Sequence, residues 1–370
     1  NMTKLHAIIE DALKDLNVVV TDIVEGVTID ANIVGTVNVN LAEVAEGVVI
    51  NIQPAEGVTF DVKITASDIT LPISIQSSAI TLDINLKSSE ITLPISIQSS
   101  AVTLDMRLEA TEIALPIDLQ GSTIALPIDI QGQAITLDIN ITGSEITLPI
   151  SIQSTAVTLP ISIESSSITL DINIASSAVT LPVDISAQSV GNISVDIAAQ
   201  SLGNLNVNIA ASSVTVPISI QSSAVTLDIN IASSDITLPI SIQSSAVTLD
   251  INIQSSSITL PINLQATEIA VPIDLQGSTI ALPIDIQGQA ITLDINITGS
   301  EITLPISIQS SAVTLPVDIT AQSVGNIAVD IAAQSVGNLN VNIAASDITV
   351  PISIQSSAVT LPVDISAQSI

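Results

Sequence analysis

The chain has 370 residues, a mean hydropathy of +0.67 and a formal net charge of −31, with 36 acidic residues against five basic ones. This charge repels nucleic acid and anionic lipid, so we expect no nucleic-acid partner and no phosphate-binding role. Hydrophobic residues make up 47% of the chain, but Phe60 is the one aromatic residue and cysteine is absent, which excludes disulfides and thiol chemistry and predicts a thin, regular core.

The first residues carry a helical pattern. Thr3 has the position of an N-cap, and the residue that precedes Met2 indicates that the numbering starts inside a longer or processed chain. Apolar residues follow the 4-3-4 spacing of a short coiled-coil seam at Leu5, Ile9, Ala12 and Leu16. The pattern predicts an N-terminal helix within residues 1–17. Such a helix would trimerise with its copies, dock the chain onto a base, or cap the open end of a β-stack.

The next segment, residues 18–64, contains less regular strand patterns. They lie at residues 37–41, 48–52 and 60–64 and are separated by Glu-Gly turns. We predict a transitional β collar between the helix and the repeats that follow.

From residue 65 to residue 370 one 11-residue repeat recurs, h-T-h-(P/D)-h-(S/N/D)-h plus a small polar turn, where h is Ile, Leu or Val. The central residue of each repeat is called its centre. Four steps between centres are one residue longer than the others, and each of these 12-residue steps is accompanied by a Gly-Asn pair that predicts a turn or bulge. The 27 centres are residues 72, 83, 94, 105, 116, 127, 138, 149, 160, 171, 182, 194, 206, 217, 228, 239, 250, 261, 272, 283, 294, 305, 316, 328, 340, 351 and 362.

Larger duplications lie on top of this repeat. The segment that begins at Gly121 recurs from Gly277, and the segment that begins at Leu181 recurs from Leu315. The first pair of copies is further apart along the chain than the second pair, and the difference is two whole repeats. Whole repeats have therefore been gained or lost without damage, as expected when each repeat contacts mainly its neighbours.

Within a repeat, the period of a β-strand separates an apolar side from a polar side. In the repeat centred on Pro72, the inward residues are predicted to form the structural core, while Thr70, Pro72 and Ser74 point outward. The predicted core residues are Ile69, Leu71, Ile73 and Ile75. β-Branched residues dominate these strands, which excludes a helical solenoid.

Proline occupies sixteen of the 27 centres, although it lacks the N–H that a central strand donates to its ladder. We expect each strand to break there into two pairing arms of three or four residues. This favours a β-spiral or an interlaced trimeric shaft over a plain two-faced solenoid, and the sequence leaves both open. The predicted fold class is an all-β repeat fibre, expected to be trimeric, with a short N-terminal helix.

No catalytic constellation stands out. His6 is the one histidine, no phosphate loop or metalloprotease motif is present, and we predict no enzyme and no cofactor. Outward Asp-x-Asn pairs are weak candidates for surface calcium sites or simply a solvated face; the carboxylates are Asp83, Asp138, Asp171, Asp228, Asp250 and Asp294. Three repeat asparagines lie in glycosylation sequons: Asn140, Asn192 and Asn296.

The helix-plus-shaft layout of the whole chain resembles the stalk of a viral tail fibre or spike, and also Ile/Val-rich β-repeat surface proteins of thermophilic archaea and their viruses. The resemblance implies a homotrimer on a virion surface, attached through residues 1–64 to a baseplate, tail or capsid protein and presenting a host-recognition tip at or beyond the C-terminus. The alternative is a cellular extracellular filament, sheath or adhesin made of a monomeric β-solenoid. No run reaches the ~18 apolar residues of a spanning helix, so we expect no membrane insertion.

Overall fold

The computed structural model describes the backbone of residues 5–12, 16–20, 27–33, 35–42, 48–52, 58–345, 351–356, 358–359 and 363–367. Side chains are described over residues 59–356, except residues 189–192, 204, 323–326, 338–339 and 346–350. These residues are almost entirely extended, and none of them is helical. The all-β class predicted from the repeat is therefore confirmed.

The chain divides into two compact units, Asn1–Leu181 and Pro182–Ile370. The first holds β1 to β14 and the start of β15, with bounds Leu5–Ala12, Leu16–Val20, Val27–Ile33, Gly35–Ala42, Val48–Ile52, Val58–Thr65, Asp68–Thr70, Ile73–Lys87, Glu90–Thr92, Ile95–Glu109, Glu112–Ala125, Ile128–Gln131, Ala134–Gln153, Ala156–Thr158 and, for β15, Ile161–Ala210. The second holds the rest of β15 and then β16 to β29, with bounds Ser213–Thr215, Ile218–Gln221, Ala224–Ala232, Asp235–Thr237, Ile240–Gln243, Ala246–Gln254, Ser257–Thr259, Ile262–Gln265, Glu268–Ala281, Ile284–Gln287, Ala290–Ala345, Ile352–Gln355, Ala358–Val359 and Val363–Ala367.

Each unit is a parallel β-solenoid. In the N-terminal unit Ile73 pairs with Ile95 and Ile95 pairs with Ile117, so each strand lies beside the strand two repeats further along the chain. The same two-repeat offset joins Ile240 to Ile262 in the C-terminal unit. One coil of the solenoid is therefore two repeats, and this 22-residue step also separates the stacked side chains of Gln76 and Gln98. The ladders connect residues of a single chain, so of the two architectures left open by the sequence, the structure has the solenoid.

The 12-residue steps change the offset without breaking the ladder. Val195 pairs with Ile218 and Val329 pairs with Ile352, one residue beyond the usual offset, because the coil between them contains one 12-residue step. Where a coil contains two such steps the separation is 24 residues, as in the contact of Asn342 Nδ2 with Asp318 Oδ1 at 3.4 Å. The extra residues are thus absorbed between paired strands.

The inward side chains form the core that the repeat predicts. Ile69, Leu71, Ile73 and Ile75 are each at most 3% exposed, and the same four positions are buried in most of the other described repeats; Ile352 and Ile354, near the end of the described part, are half-buried. The two strands of a coil must therefore cover each other's inner faces, since one sheet alone would leave its apolar face in water. Among the described side chains none that is polar or charged is buried, so the core is entirely aliphatic apart from Phe60 and Met106.

The corners between the two strands of a coil admit only small residues. A Cβ atom built on Gly121 would lie 2.6 Å from the backbone oxygen of Ser99, the corner residue of the preceding coil. Where serine stands at this corner, its hydroxyl reaches backbone carbonyls, as Ser255 Oγ does towards Ser234 O at 2.8 Å and Ser257 O at 2.9 Å. The Gln-Ser-Ser and Gln-Gly-Ser turns of the sequence are these corners.

Some proline centres interrupt their strands as predicted, whereas others, such as Pro116 in β11 and Pro272 in β24, lie within continuous strands; the parallel ladder continues past both kinds. Around Pro217 the strand is split into β16, of three residues, and β17, of four. The N–H of Val216 still donates to Thr237 O at 3.0 Å, and the N–H of Ile218 donates to Pro239 O at 2.9 Å. Proline therefore removes one donor and keeps its acceptor. The expectation that prolines disfavour a solenoid is wrong, because a stacked proline omits only its own N–H bond and the N–H groups on either side of it keep their partners in the ladder.

The start of the chain differs from its predicted helix. Leu5–Ala12 forms β1, which pairs in parallel with β3 from Leu5 opposite Val27 onward, and Leu16–Val20 forms β2. The other residues of the predicted helix lie outside the described part. A helix of this length is marginal alone, and pairing with β3 satisfies the same backbone groups while extending an existing ladder. The three strands predicted within residues 18–64 are present as β4, β5 and β6.

Candidate functional surfaces

The two faces of the solenoid differ because proline and aspartate centres alternate along the chain. In the N-terminal unit one face carries the proline stack Pro72, Pro94 and Pro116, and the other carries the aspartate stack Asp61, Asp83 and Asp105. In the C-terminal unit the proline stack is longer, and the aspartates that occupy centres in the same coils, Asp228, Asp250 and Asp294, again fall on the other strand. That proline stack consists of Pro217, Pro239, Pro261, Pro283 and Pro305.

Each proline stack forms the floor of a shallow trough that runs along the solenoid. The trough over the long stack has a volume of about 700 Å³ and the trough over the short stack about 390 Å³. In the long trough the walls include the polar side chains that lie two residues after each proline, such as Ser219, Ser241 and Asn263. Both troughs are lined mainly by apolar atoms.

The six aspartates predicted as weak calcium candidates all lie on the outward face and are exposed. Asp83 lies between Asp61 and Asp105, and Asp228 pairs with Asp250. The other three are separated from carboxylates at the same level because proline is their neighbour: Asp138 beside Pro116, Asp171 beside Pro149 and Asp294 beside Pro272. Within the described residues no three acidic or histidine side chains form a group that could hold a metal ion.

The stacked carboxylates of the N-terminal unit repel one another. Partial burial, together with the charges of Asp105 and Asp61, raises the pKa of Asp83 above its ordinary value, while the Arg107 guanidinium opposes that rise. Arg107 also contacts Asp105 at 3.3 Å. One further exposed ion pair lies near this stack, between Lys87 and Glu109 at 2.8 Å. These cations of the chain thus lie near its densest row of acids.

Two of the three sequon asparagines can be placed. Asn140 on β13 and Asn296 on β26 are exposed at equivalent positions, beside Asp118 and Asp274 respectively. Asn192 lies on β15, and its side chain is outside the described set, as is that of His6 on β1. The side chains of Asn140 and Asn296 are therefore accessible to a modifying enzyme.

The centres themselves indicate that the solenoid has two unlike faces, although the 11-residue period does not show it. Centres alternate between proline and aspartate from Pro72 to Pro116, and the same two-repeat period reappears around Asp228 and Asp250. A chain whose outward residues repeat every second strand has two strands per coil. Asp61 is also a centre, since it pairs with Asp83, although the predicted repeat begins at residue 65.

Comparison with known protein families, curated proteins and solved structures gives no match to this chain. Within the described ranges, no helix has the length and apolar character required to cross a membrane. Function is therefore inferred from the geometry of the solenoid and its surfaces.

Proposed function

We propose that this protein is a structural component of an extracellular or virion-surface fibre, in which the β-solenoid acts as a stiff stalk. The observation that carries the proposal is the parallel ladder with its 22-residue coil, which recurs in both units. Each coil adds one strand spacing of about 4.8 Å along the solenoid axis, so length grows with the number of repeats. A stalk needs this property and an enzyme does not.

Repeated contacts between neighbouring coils support a stiff stalk. Besides the backbone ladder, side chains stack in register: Gln76 Nε2 donates to Gln98 Oε1 at 2.9 Å, and Gln98 Nε2 donates to Gln120 Oε1 at 3.1 Å. The corner serines add hydrogen bonds to backbone oxygens of the preceding coil. Such side-chain ladders are typical of stacked, in-register β structures. Bending would have to break several of these rows together.

The self-contained coil favours one of the two fibre types left open by the sequence. Strands that pair within one chain fit a filament, sheath or adhesin built from single-chain solenoids, whereas an interlaced trimeric shaft would pair strands between chains. The viral tail fibre stays a prediction. In that case the chain would form a homotrimer, attach to the virus particle through residues 1–64 and meet the host surface at or beyond the C-terminus. Its trimer would have to be three solenoids side by side.

Small-angle scattering of the purified chain, combined with negative-stain electron microscopy, tests the stalk. The expected particle is a rod of constant cross-section, and a globular particle would rule the stalk out. Variants lacking one or two whole coils between residues 228 and 293 sharpen the test. Removal of each coil should shorten the rod by about 4.8 Å and leave its cross-section unchanged. Sedimentation equilibrium then gives the number of chains per rod.

A further inference from the structure

The outward face that carries the long proline stack differs in charge from the rest of this acidic chain. Over the five coils from residue 215 to residue 320, the four outward rows on its strands hold one carboxylate, Asp285. Asp235 and Glu301 lie at the corner that precedes these rows and do not line the trough, whereas Asp330 of the next coil lines its far end. The corresponding rows on the other strand of the same coils hold five carboxylates. Those five are Asp228, Asp250, Asp274, Asp294 and Asp318.

This difference restricts where two copies of the chain can touch. Carboxylates on facing surfaces lie within the ~8 Å Debye length of physiological salt, so two aspartate faces repel each other on contact. The proline face avoids most of this repulsion, because over these five coils its rows are Thr or Ala, Pro, Ser or Asn, and Gln, with Asp285 as their one acid and Asp330 at the end of the trough. A second, equally acidic copy can therefore approach the C-terminal unit closely along its proline face.

The same face has the shape and size for association through side chains. Its trough is floored by Pro217, Pro239, Pro261, Pro283 and Pro305, and it is lined mainly by apolar surface. Five strands ~4.8 Å apart and nine residues of ~3.3 Å each cover ~700 Å², close to the ~800 Å² per partner of a typical stable interface. Prolines donate no N–H, so the contact does not add a strand to the ladder.

We propose that this proline face is a self-association surface on which the identical face of a second copy packs, related by a two-fold axis. Such a pairing buries the trough of both copies and leaves both aspartate faces in water. It predicts lateral pairing of solenoids, and it does not depend on the chain being a stalk.

The chain itself supplies the substitution that tests the pairing. Aspartate replaces proline at equivalent centres of neighbouring repeats, so P239D combined with P261D should fold and add four carboxylates to the paired faces. The matched control is P272D, which makes the same change in the same part of the solenoid on the opposite face. Sedimentation velocity of the full chain over a wide range of concentration measures the association, and circular dichroism checks the β structure.

We expect the unsubstituted chain and P272D to form dimers of similar affinity. The dimer of P239D/P261D should be weaker by at least about a hundredfold, because facing like charges cost several kcal/mol. If that variant loses its β structure, S241D combined with N263D keeps the prolines and charges the adjacent row, where Asp285 already occurs, and should have the same effect. A monomeric parent, a three-chain assembly, an oligomer that survives the folded trough variants, or equal weakening by P272D would overturn the proposal.

Discussion

The proline stack and the aspartate stack occupy equivalent positions on the two strands of the same coils, yet they differ in their effects on the backbone ladder and on the surface charge. Proline removes a donor from the ladder and produces a mainly apolar trough with few charges, as at Pro217 and Pro239. Aspartate keeps the strand continuous, as in β18 and β21, but places like charges beside each other. The inward residues therefore specify the fold, while the centres can differ and so determine the charge and the apolar surface of each face.

The largest effect is expected from breaking the core that both stacks share. Ile73→Asp places a carboxylate at a position that is 3% exposed and should cost several kcal/mol, enough to abolish local β structure and assembly. The adjacent Ser74→Asp adds the same charge on the exposed side and should be tolerated. Thermal unfolding followed by circular dichroism compares the two variants. Equal losses would mean that the two sides of the strand are not distinct.

An exchange between the stacks should have an intermediate effect. Asp250→Pro puts proline at a centre where neighbouring repeats already carry it, and we expect a change in unfolding free energy within about 1 kcal/mol. The lost ladder hydrogen bond is offset by the reduced freedom of the unfolded chain and by less repulsion with Asp228. Ile251→Pro, one residue further and buried, should cost about 3 kcal/mol or more. Denaturant unfolding measures both, and similar costs would show that the centre is not special.

The smallest effect should come from the charge of the aspartate stack itself. Because the pKa of Asp83 is raised in the folded protein, its ionised form disfavours folding, and this cost appears as the pH rises from the unfolded value of 3.8 through the raised folded value. Asp83→Asn should therefore stabilise the protein near pH 7 by less than about 0.5 kcal/mol, since the site is exposed and screened.

The gain from Asp83→Asn should vanish below pH 3.8, where the aspartate is protonated in both states. Melting temperatures measured across this range give the result, and high salt should reduce the difference at pH 7. Asp294→Asn is the control, because the residue beside Asp294 is Pro272 and not a second acid. A stabilisation of equal size in the control, or one that persists at low pH, would contradict the role of the stacked charges.

The periodic part of the fold was predictable and its long-range pairing was not. Alternation in the repeat identified Ile69, Leu71, Ile73 and Ile75 as inward residues because the strand period is local. The partner of Ile73, by contrast, is Ile95, and the strand pattern alone does not say whether such a partner comes from the same chain or another. The alternation of proline and aspartate indicates the two-repeat offset of this pairing.

The start of the chain shows the opposite limit of sequence reasoning. Spacing at Leu5 and Ile9 fits a helix seam, but a short amphipathic segment has no fixed preference, and the adjacent β3 decides in favour of a strand. The candidate calcium positions and the sequon residues Asn140 and Asn296 do lie on the outward face. Which of them are neighbours depended on the two-repeat offset, so stacking of Asp83 with Asp105 could not be foreseen from an 11-residue period.

Because one coil contains two repeats, the solenoid can change in length by whole coils without altering which residues share a face. Insertion of a single repeat would move every later centre to the other strand of its coil, whereas insertion of a whole coil leaves each centre on its own strand. The internal duplications obey this rule: Gly121 and Gly277 are seven coils apart, and Leu181 and Leu315 are six, once the two extra residues of the intervening 12-residue steps are allowed for. Related chains can therefore differ in length by whole coils and keep the same residues on each face.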